Sequence, residues 1–199
     1  QKSKDVIKSS KNLSPAGLTK PSAGLAFASN GRELFGFNTS TRAVCGISWK
    51  SANKKLVDSK SIPILELLPI LNLKQFEFIN LQYGDVLKDL QDLEETRSQK
   101  IHQMPDMDLH DDLDGAMSLI NACDLIITCS NTVAHMAGAL NKKTILMVPF
   151  ELGKFWYWHE VDGHSLCYPS IKVFSQSHQG NWNDVIERVK VYMENLSFE

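Results

Sequence analysis

The sequence lacks the features that mark several large classes of protein. Its four cysteines show no C-x-x-C spacing and three lie in or beside apolar segments, so reduced, buried thiols are predicted. No apolar run approaches the roughly 20 residues of a membrane span, and the amino end has no signal-peptide-like stretch. A net charge of −2 gives no electrostatic basis for binding nucleic acid or an anionic membrane. These absences predict a cytoplasmic globular protein.

Common catalytic and nucleotide-binding motifs are also absent. There is no Walker or G-x-G-x-x-G pattern, and without G-x-S-x-G the pair Ser130 and His135 does not indicate a hydrolase. His159 and His164 are five residues apart, off a common helix face, and Gly163 disfavours a helix there, so a zinc site is rejected. The sequence therefore predicts neither a metal site nor a cofactor.

The chain length and the distribution of turn-forming residues indicate one domain preceded by an irregular segment. With 199 residues, 43% of them hydrophobic, the chain can form one full core but not two ordinary domains. Residues 1–42 carry no sustained periodicity and are predicted to be a connector or the remnant of a preceding domain, with a turn at Asn30-Gly31. Residues 43–199 are predicted to form the folded domain.

From Ala43 onward, short apolar runs alternate with helical periods. Helices are predicted between the strands, the last with Asn181 as its N-cap. Such alternation is typical of a parallel sheet, so the expected class is α/β: a Rossmann-like parallel sheet of about six strands with helices on both faces. The predicted strands are Ala43 to Ser48, Glu77 to Leu81, Lys100 to His102, Asp124 to Thr128, Thr144 to Val148 and Ile171 to Phe174.

One stretch, residues 124–140, predicts a strand, a tight turn and a helix. The run up to Thr128 reads as a strand buried on both faces, and the apolar residues from Val133 onward recur with helical period. Ser130 is the predicted N-cap, and the helix start beside Thr132 would suit an anion such as phosphate. The alternative is that the turn merely caps a helix.

A basic loop follows the first strand, in the segment from Ser48 to Lys55. It is predicted to lie at the same carboxyl edge of the sheet as the Ser130 turn, where a diphosphate could bind. The alternative is a solvated cluster of lysines. Both loops together predict a shared crevice.

The second and third strands are followed by further polar residues. Gln82 follows the second strand, and Gln103 and Met104 follow the third, where a nucleobase or ribose would lie. The acidic run that includes Asp111 reads more simply as residues that complement a helix dipole than as a metal cluster. The four aromatic residues 155–158 cannot all face one way, so a sugar site or an interdomain face is plausible.

A resemblance joins these segments. The run from Ser130 to Leu140, followed by Lys143 to Met147, resembles the donor-site strand, turn and helix of the heptosyltransferase-like glycosyltransferases of family 9. It looks closest to the version fused to tetratricopeptide repeats in bacterial proteins. Where the family has Asp-Thr-Gly-x-x-His, this chain has Ser130, Asn131 and Thr132, and His135 matches. The similarity spans roughly residues 43 to 196.

The resemblance implies the nucleotide-sugar-binding half of a two-domain glycosyltransferase. Its diphosphate contacts would be Lys50, Ser51, Ser130, Asn131, Thr132 and His135, and its nucleoside would lie near Gln82, Gln103, Met104 and Asp111. Sugar would pass from a nucleoside-diphosphate sugar to an acceptor hydroxyl, and the general base would come from an amino-terminal domain that is not evident here. One alternative is a non-catalytic nucleotide-binding or scaffold module that retains the fold; another is an unrelated phosphate-responsive Rossmann domain.

Overall fold

The computed structural model describes residues 42–53, 55–96, 100–104 and 107–198. The strands are β1 (Ala43–Ser48), β2 (Phe76–Asn80), β3 (Ile101–His102), β4 (Leu125–Cys129), β5 (Thr144–Val148), β6 (Glu160–Val161), β7 (His164–Ser165) and β8 (Ile171–Ser175). The α-helices are α1 (Val57–Lys60), α2 (Leu68–Leu71), α3 (Leu87–Glu95), α4 (Leu113–Ala122), α5 (Thr132–Ala139) and α6 (Asn183–Glu194), with 3₁₀ turns at Ile64–Leu67 and Trp156–Trp158.

The strands form one sheet in the order β3-β2-β1-β4-β5-β8-β7-β6. The six strands predicted from the sequence are all present within about one residue and are mutually parallel, which confirms the α/β Rossmann-like class. The predicted strand count is wrong, because β6 and β7 add an antiparallel hairpin beside β8. Two-residue strands are too short to show periodicity. Their turn at Asp162 and Gly163, both with positive φ, shows that this segment is not a helix.

The order in which the chain adds strands to the sheet reverses at the neighbouring strands β1 and β4. From β1 the chain moves outward to β2 and β3, whereas β4, β5 and β8 lie on the other side. Because ligands of open α/β sheets bind at the carboxyl ends of strands where the order reverses, the β1–β4 boundary is the expected crevice.

Both faces of the sheet are covered by apolar residues. On one face Ile47 and Ile127 pack in a cluster with residues of α2 and α6, and on the other Ile126 packs with residues of α4 and α5. All five residues of β4 are buried, as expected for a central parallel strand. Each such Ile or Leu contributes on the order of 1.5–3 kcal/mol to folding.

The cysteines lie where the sequence predicts them. Cys45, Cys123 and Cys129 are buried and Cys167 is exposed, which confirms the predicted core positions. None of the described helices is long and apolar enough to cross a bilayer. The predicted connector and its turn at Asn30-Gly31 lie outside the described residues, apart from residue 42.

The predicted cap of α6 is wrong by one position. Trp182 occupies the N-cap and its side chain makes no capping bond, while Asn181 accepts a hydrogen bond from the Asn183 amide at 3.0 Å. The Asn side chain thus shapes the turn that precedes the helix.

Candidate functional site

Asn131 joins the two halves of the sheet at the switch point. Its Oδ1 accepts hydrogen bonds from the Val133 amide and the Thr128 hydroxyl, each at 3.0 Å. Its Nδ2 donates to the Ser48 hydroxyl and to the Lys50 carbonyl oxygen. The loop after β1 and the turn after β4 therefore lie at the same edge, as predicted.

Asn131, and not Ser130, is the N-cap of α5. The predicted cap is wrong because the Ser130 hydroxyl is buried and accepts a hydrogen bond from Trp158 Nε1 at 2.9 Å. The aromatic segment thus reaches back to the turn. Since the first amides of a helix have no partner within the helix, the start of α5 remains suited to an anion.

An open cavity of about 260 Å³ lies at this helix start. It is lined by residues from the β1 loop, the end of α1, the α5 turn and the aromatic segment. Four of the residues that the resemblance assigns to the diphosphate lie together here with His135. The lining comprises Ser51, Ala52, Asn53, Lys60, Tyr83, Ser130, Asn131, Thr132, His135, Phe155 and Tyr157.

Lys60 supplies the ammonium in this cavity. The residue is only 5% exposed, and its Nζ lies 4.8 Å from the centroid of the Phe155 ring. No carboxylate in the described ranges pairs with it. Burial lowers the pKa of Lys60, because water no longer solvates the charged form. Gly153 makes room for the stem, since a Cβ there would lie 2.7 Å from Lys60 Cγ.

Lys50 is directed elsewhere. Its Nζ lies 2.5 Å from Asp89 Oδ2, which also accepts a hydrogen bond from Trp49 Nε1 at 2.7 Å. The Lys50 side chain is 40% exposed, so this ion pair is partly screened by water. Lys60 therefore reaches the cavity while Lys50 lies outside its described lining. Lys60 was not predicted from the sequence, because it lies on α1, beyond the basic loop that ends at Lys55.

His135 is enclosed by aromatic rings. It stacks on Trp158, with 4.7 Å between ring centroids and planes 28° apart, and lies 5.2 Å from the Tyr157 ring. Its Nδ1 is 3.3 Å from the Tyr168 hydroxyl oxygen. Burial first, and then the charge of Lys60, lowers the pKa of His135, which favours the neutral imidazole. The four aromatic residues 155–158 therefore do not all face one way, as expected: Trp158 is buried, whereas Trp156 is 74% exposed.

Two further cavities adjoin the first through Tyr83, which lines all three. One, about 180 Å³, is mainly apolar and lies against α4 and α5. The other, about 550 Å³, is lined by Gln82, Gln103 and Met104, among others. The three cavities form neighbouring compartments along the carboxyl edge of the sheet.

Three residues assigned to the nucleoside have clear structural surroundings. Gln82 Oε1 accepts hydrogen bonds from the amides of Trp49 and Lys50, at 3.0 and 2.7 Å, so it holds the β1 loop. Gln103 Oε1 accepts a hydrogen bond from Asn80 Nδ2 at 2.9 Å. Asp111 has a side chain 79% exposed beside His110 and lies outside the described lining of all three cavities.

The acidic residues can be assessed as metal ligands and as helix caps. Within the described ranges, no three His, Cys, Asp or Glu side chains converge as metal ligands. Asp112 caps α4 by accepting a hydrogen bond from the Gly115 amide, which fits the predicted helix-start role of the acidic run.

The chain is similar to several known proteins, although no family model matches it. FlbA of Caulobacter vibrioides is 28% identical over 158 residues, which cover 76% of this chain and 25% of FlbA. The structure of E. coli ADP-heptose LPS heptosyltransferase II is similar with a TM-score of 0.54 and 15% identity, over 92% of this chain and 57% of that chain. A family 9 glycosyltransferase structure from Veillonella parvula gives a TM-score of 0.49 and 14% identity, over 89% and 44%.

The chain therefore has the fold of the matching part of heptosyltransferase II, which confirms the heptosyltransferase-like fold expected from the sequence resemblance. The chain spans a quarter of the length of FlbA and 57% of that of heptosyltransferase II.

Proposed function

We propose that residues 43–199 bind the donor of a glycosyl transfer, a nucleoside-diphosphate sugar, with its diphosphate in the 260 Å³ cavity. The sugar would pass to an acceptor hydroxyl. The observation that supports this most strongly is Lys60, a lysine only 5% exposed that lines the same cavity as the start of α5.

A buried cation without a carboxylate is unfavourable in the unliganded protein. Transfer of an ion out of water is costly unless an opposite charge compensates. A diphosphate would provide that charge, would meet the positive end of the α5 dipole, and could accept hydrogen bonds from Thr132 and His135. In this proposal the binding role expected of Lys50 passes chiefly to Lys60.

The nucleoside would occupy the compartments that share Tyr83 with the diphosphate cavity. Gln103, Met104 and Gln82 line the larger one, and Gln82 also holds the β1 loop through the amides of Trp49 and Lys50. Asp111 remains a prediction without a cavity contact. An amino-terminal domain that binds the acceptor and carries the general base is proposed for the rest of the parent protein. An association with tetratricopeptide repeats is proposed there as well.

Calorimetric titration with a panel of nucleoside diphosphates, including ADP, tests this proposal. Lys60→Met should weaken diphosphate binding about ten- to a hundredfold, because a charge-assisted hydrogen bond contributes roughly 1.5–3 kcal/mol. Thr132→Ala, which leaves the amides, should cost about 0.5–1.5 kcal/mol.

Lys50→Met is the matched control. It removes the same charge ten residues earlier and should weaken binding by less than about threefold, because the Lys50 ammonium pairs with Asp89. The nucleoside without phosphates should respond to none of these changes. A larger loss from Lys50→Met than from Lys60→Met would contradict the proposal.

A scaffold module that retains the fold is the second candidate. It is favoured by the three substituted positions of the family pattern, and by Asn131, whose side-chain amide is occupied by contacts within the protein. Such a module would bind no nucleoside diphosphate in the same titration.

A further inference from the structure

His135 has its ring orientation set by contacts on three sides. Trp158 stacks on one face, Tyr157 lies at 5.2 Å, and the Tyr168 hydroxyl contacts Nδ1. Trp158 is itself fixed, since its Nε1 donates to Ser130. The cavity therefore receives a histidine that is oriented before any ligand arrives.

Tyr168 has a specific seat against α5. It lies in the segment between β7 and β8, where its amide donates to the Ser165 hydroxyl at 3.3 Å. A Cβ on Gly138, one turn after His135, would lie 2.4 Å from Tyr168 Cγ, so the bare backbone makes room for the phenol ring. The packing thus directs the hydroxyl to Nδ1.

The chemistry of the two groups favours one direction for this hydrogen bond. A phenol is a good O–H donor, and the unprotonated nitrogen of a neutral imidazole is a good acceptor. When Nδ1 accepts, the ring proton is on Nε2. We propose that Tyr168 is a positioning residue that holds His135 as the Nε2-protonated neutral tautomer, so that His135 donates a hydrogen bond to the anion in the cavity. That the cavity binds an anion rests on the function proposed above.

The surroundings of His135 support the neutral form. Among the described residues, the titratable groups in contact with it or acting on it are Lys60 at the end of α1, Tyr157 of the 3₁₀ turn and Tyr168, and none of them is a carboxylate that would stabilise an imidazolium. In the described part of the chain, the charge identified as acting on His135 is the Lys60 ammonium. A second full cation is disfavoured there, while a neutral donor suits an anion.

Nitrogen-15 NMR of the imidazole rings tests the tautomer without any ligand. In the full chain at pH 7.5, His135 should show a protonated Nε2 and an unprotonated Nδ1, with His135→Gln used to assign its signals. Tyr168→Phe should shift the ring towards a tautomer mixture, whereas Tyr192→Phe, on α6 against Phe174, should leave the spectrum unchanged. A wild-type ring protonated at Nδ1, or one indifferent to Tyr168→Phe, overturns the proposal.

Pyrophosphate binding tests the consequence. Tyr168→Phe should weaken it about three- to tenfold, the effect of one neutral hydrogen bond. His135→Gln places an amide donor near the Nε2 position and should bind more tightly than His135→Asn. Equal losses in these two variants contradict the donor role. If pyrophosphate fails to bind the wild type while the tautomer is as stated, the proposed function fails and the positioning role stands.

Discussion

At the scale of single residues, Lys60 should affect stability and binding in opposite directions. Lys60→Met removes a desolvated charge and keeps an apolar stem against Phe155, so the free energy of unfolding should stay the same or rise by up to about 1 kcal/mol. Urea denaturation without ligand measures this. A loss of more than about 1 kcal/mol would show that the ammonium stabilises the unliganded fold, and would remove the main support for an anion site.

His135 makes stability depend on pH. Its pKa in the folded chain is lowered from 6.5, so at pH values between that lowered pKa and 6.5 the unfolded chain binds more protons than the folded chain. The free energy of unfolding should therefore fall as the pH drops from about 7.5 to 5.5. His135→Gln should reduce that fall, measured by urea denaturation at the two pH values. An unchanged slope in His135→Gln contradicts the assignment.

At the scale of elements, the start of α5 depends on one side chain. Asn131→Ala removes the N-cap and the bonds to the β1 loop, and should lower the free energy of unfolding by about 2 kcal/mol, the upper end for a cap. Asn181→Ala is the matched control, because that exposed side chain makes a single bond before α6. Its cost should stay below about 1 kcal/mol. If both substitutions lowered the free energy of unfolding equally, the bonds of Asn131 to the β1 loop would contribute nothing to stability.

The strand bounds could be predicted from the sequence, whereas the helix cap and the cavity lysine could not. The bounds of β1 and β5 are correct to the residue, because each is a short, mostly apolar and buried run that begins directly after a basic residue, Arg42 or Lys143. The choice between Ser130 and Asn131 as cap could not be made, since both are good caps and the partner that occupies Ser130 is Trp158, 28 residues later. Lys60 was missed for a similar reason. Its burial depends on Phe155 and Gly153, which periodicity does not bring to α1.

At the scale of the whole molecule, we expect the 199-residue chain to bind a donor without transferring its sugar. The resemblance places the general base in an amino-terminal domain, and the chain spans 57% of heptosyltransferase II. Release of nucleoside diphosphate from a donor in the presence of acceptor measures transfer, and the upstream region of the parent protein should restore it. Robust turnover by these residues alone would contradict this, and would direct attention to His110, Asp111 and Asp112 as bases.

The Asn131 bridge also bears on the order of folding. Its bonds to Ser48 and Lys50 connect residues 83 and 81 positions apart, across the central pair of strands. Closing so long a loop is entropically costly and slow compared with forming the local helix α5. The cavity therefore assembles only after β1 and β4 have paired. A chain that has made its helices but not this pairing lacks the complete cavity, so the ability to bind an anion should appear in refolding only after β1 and β4 have paired.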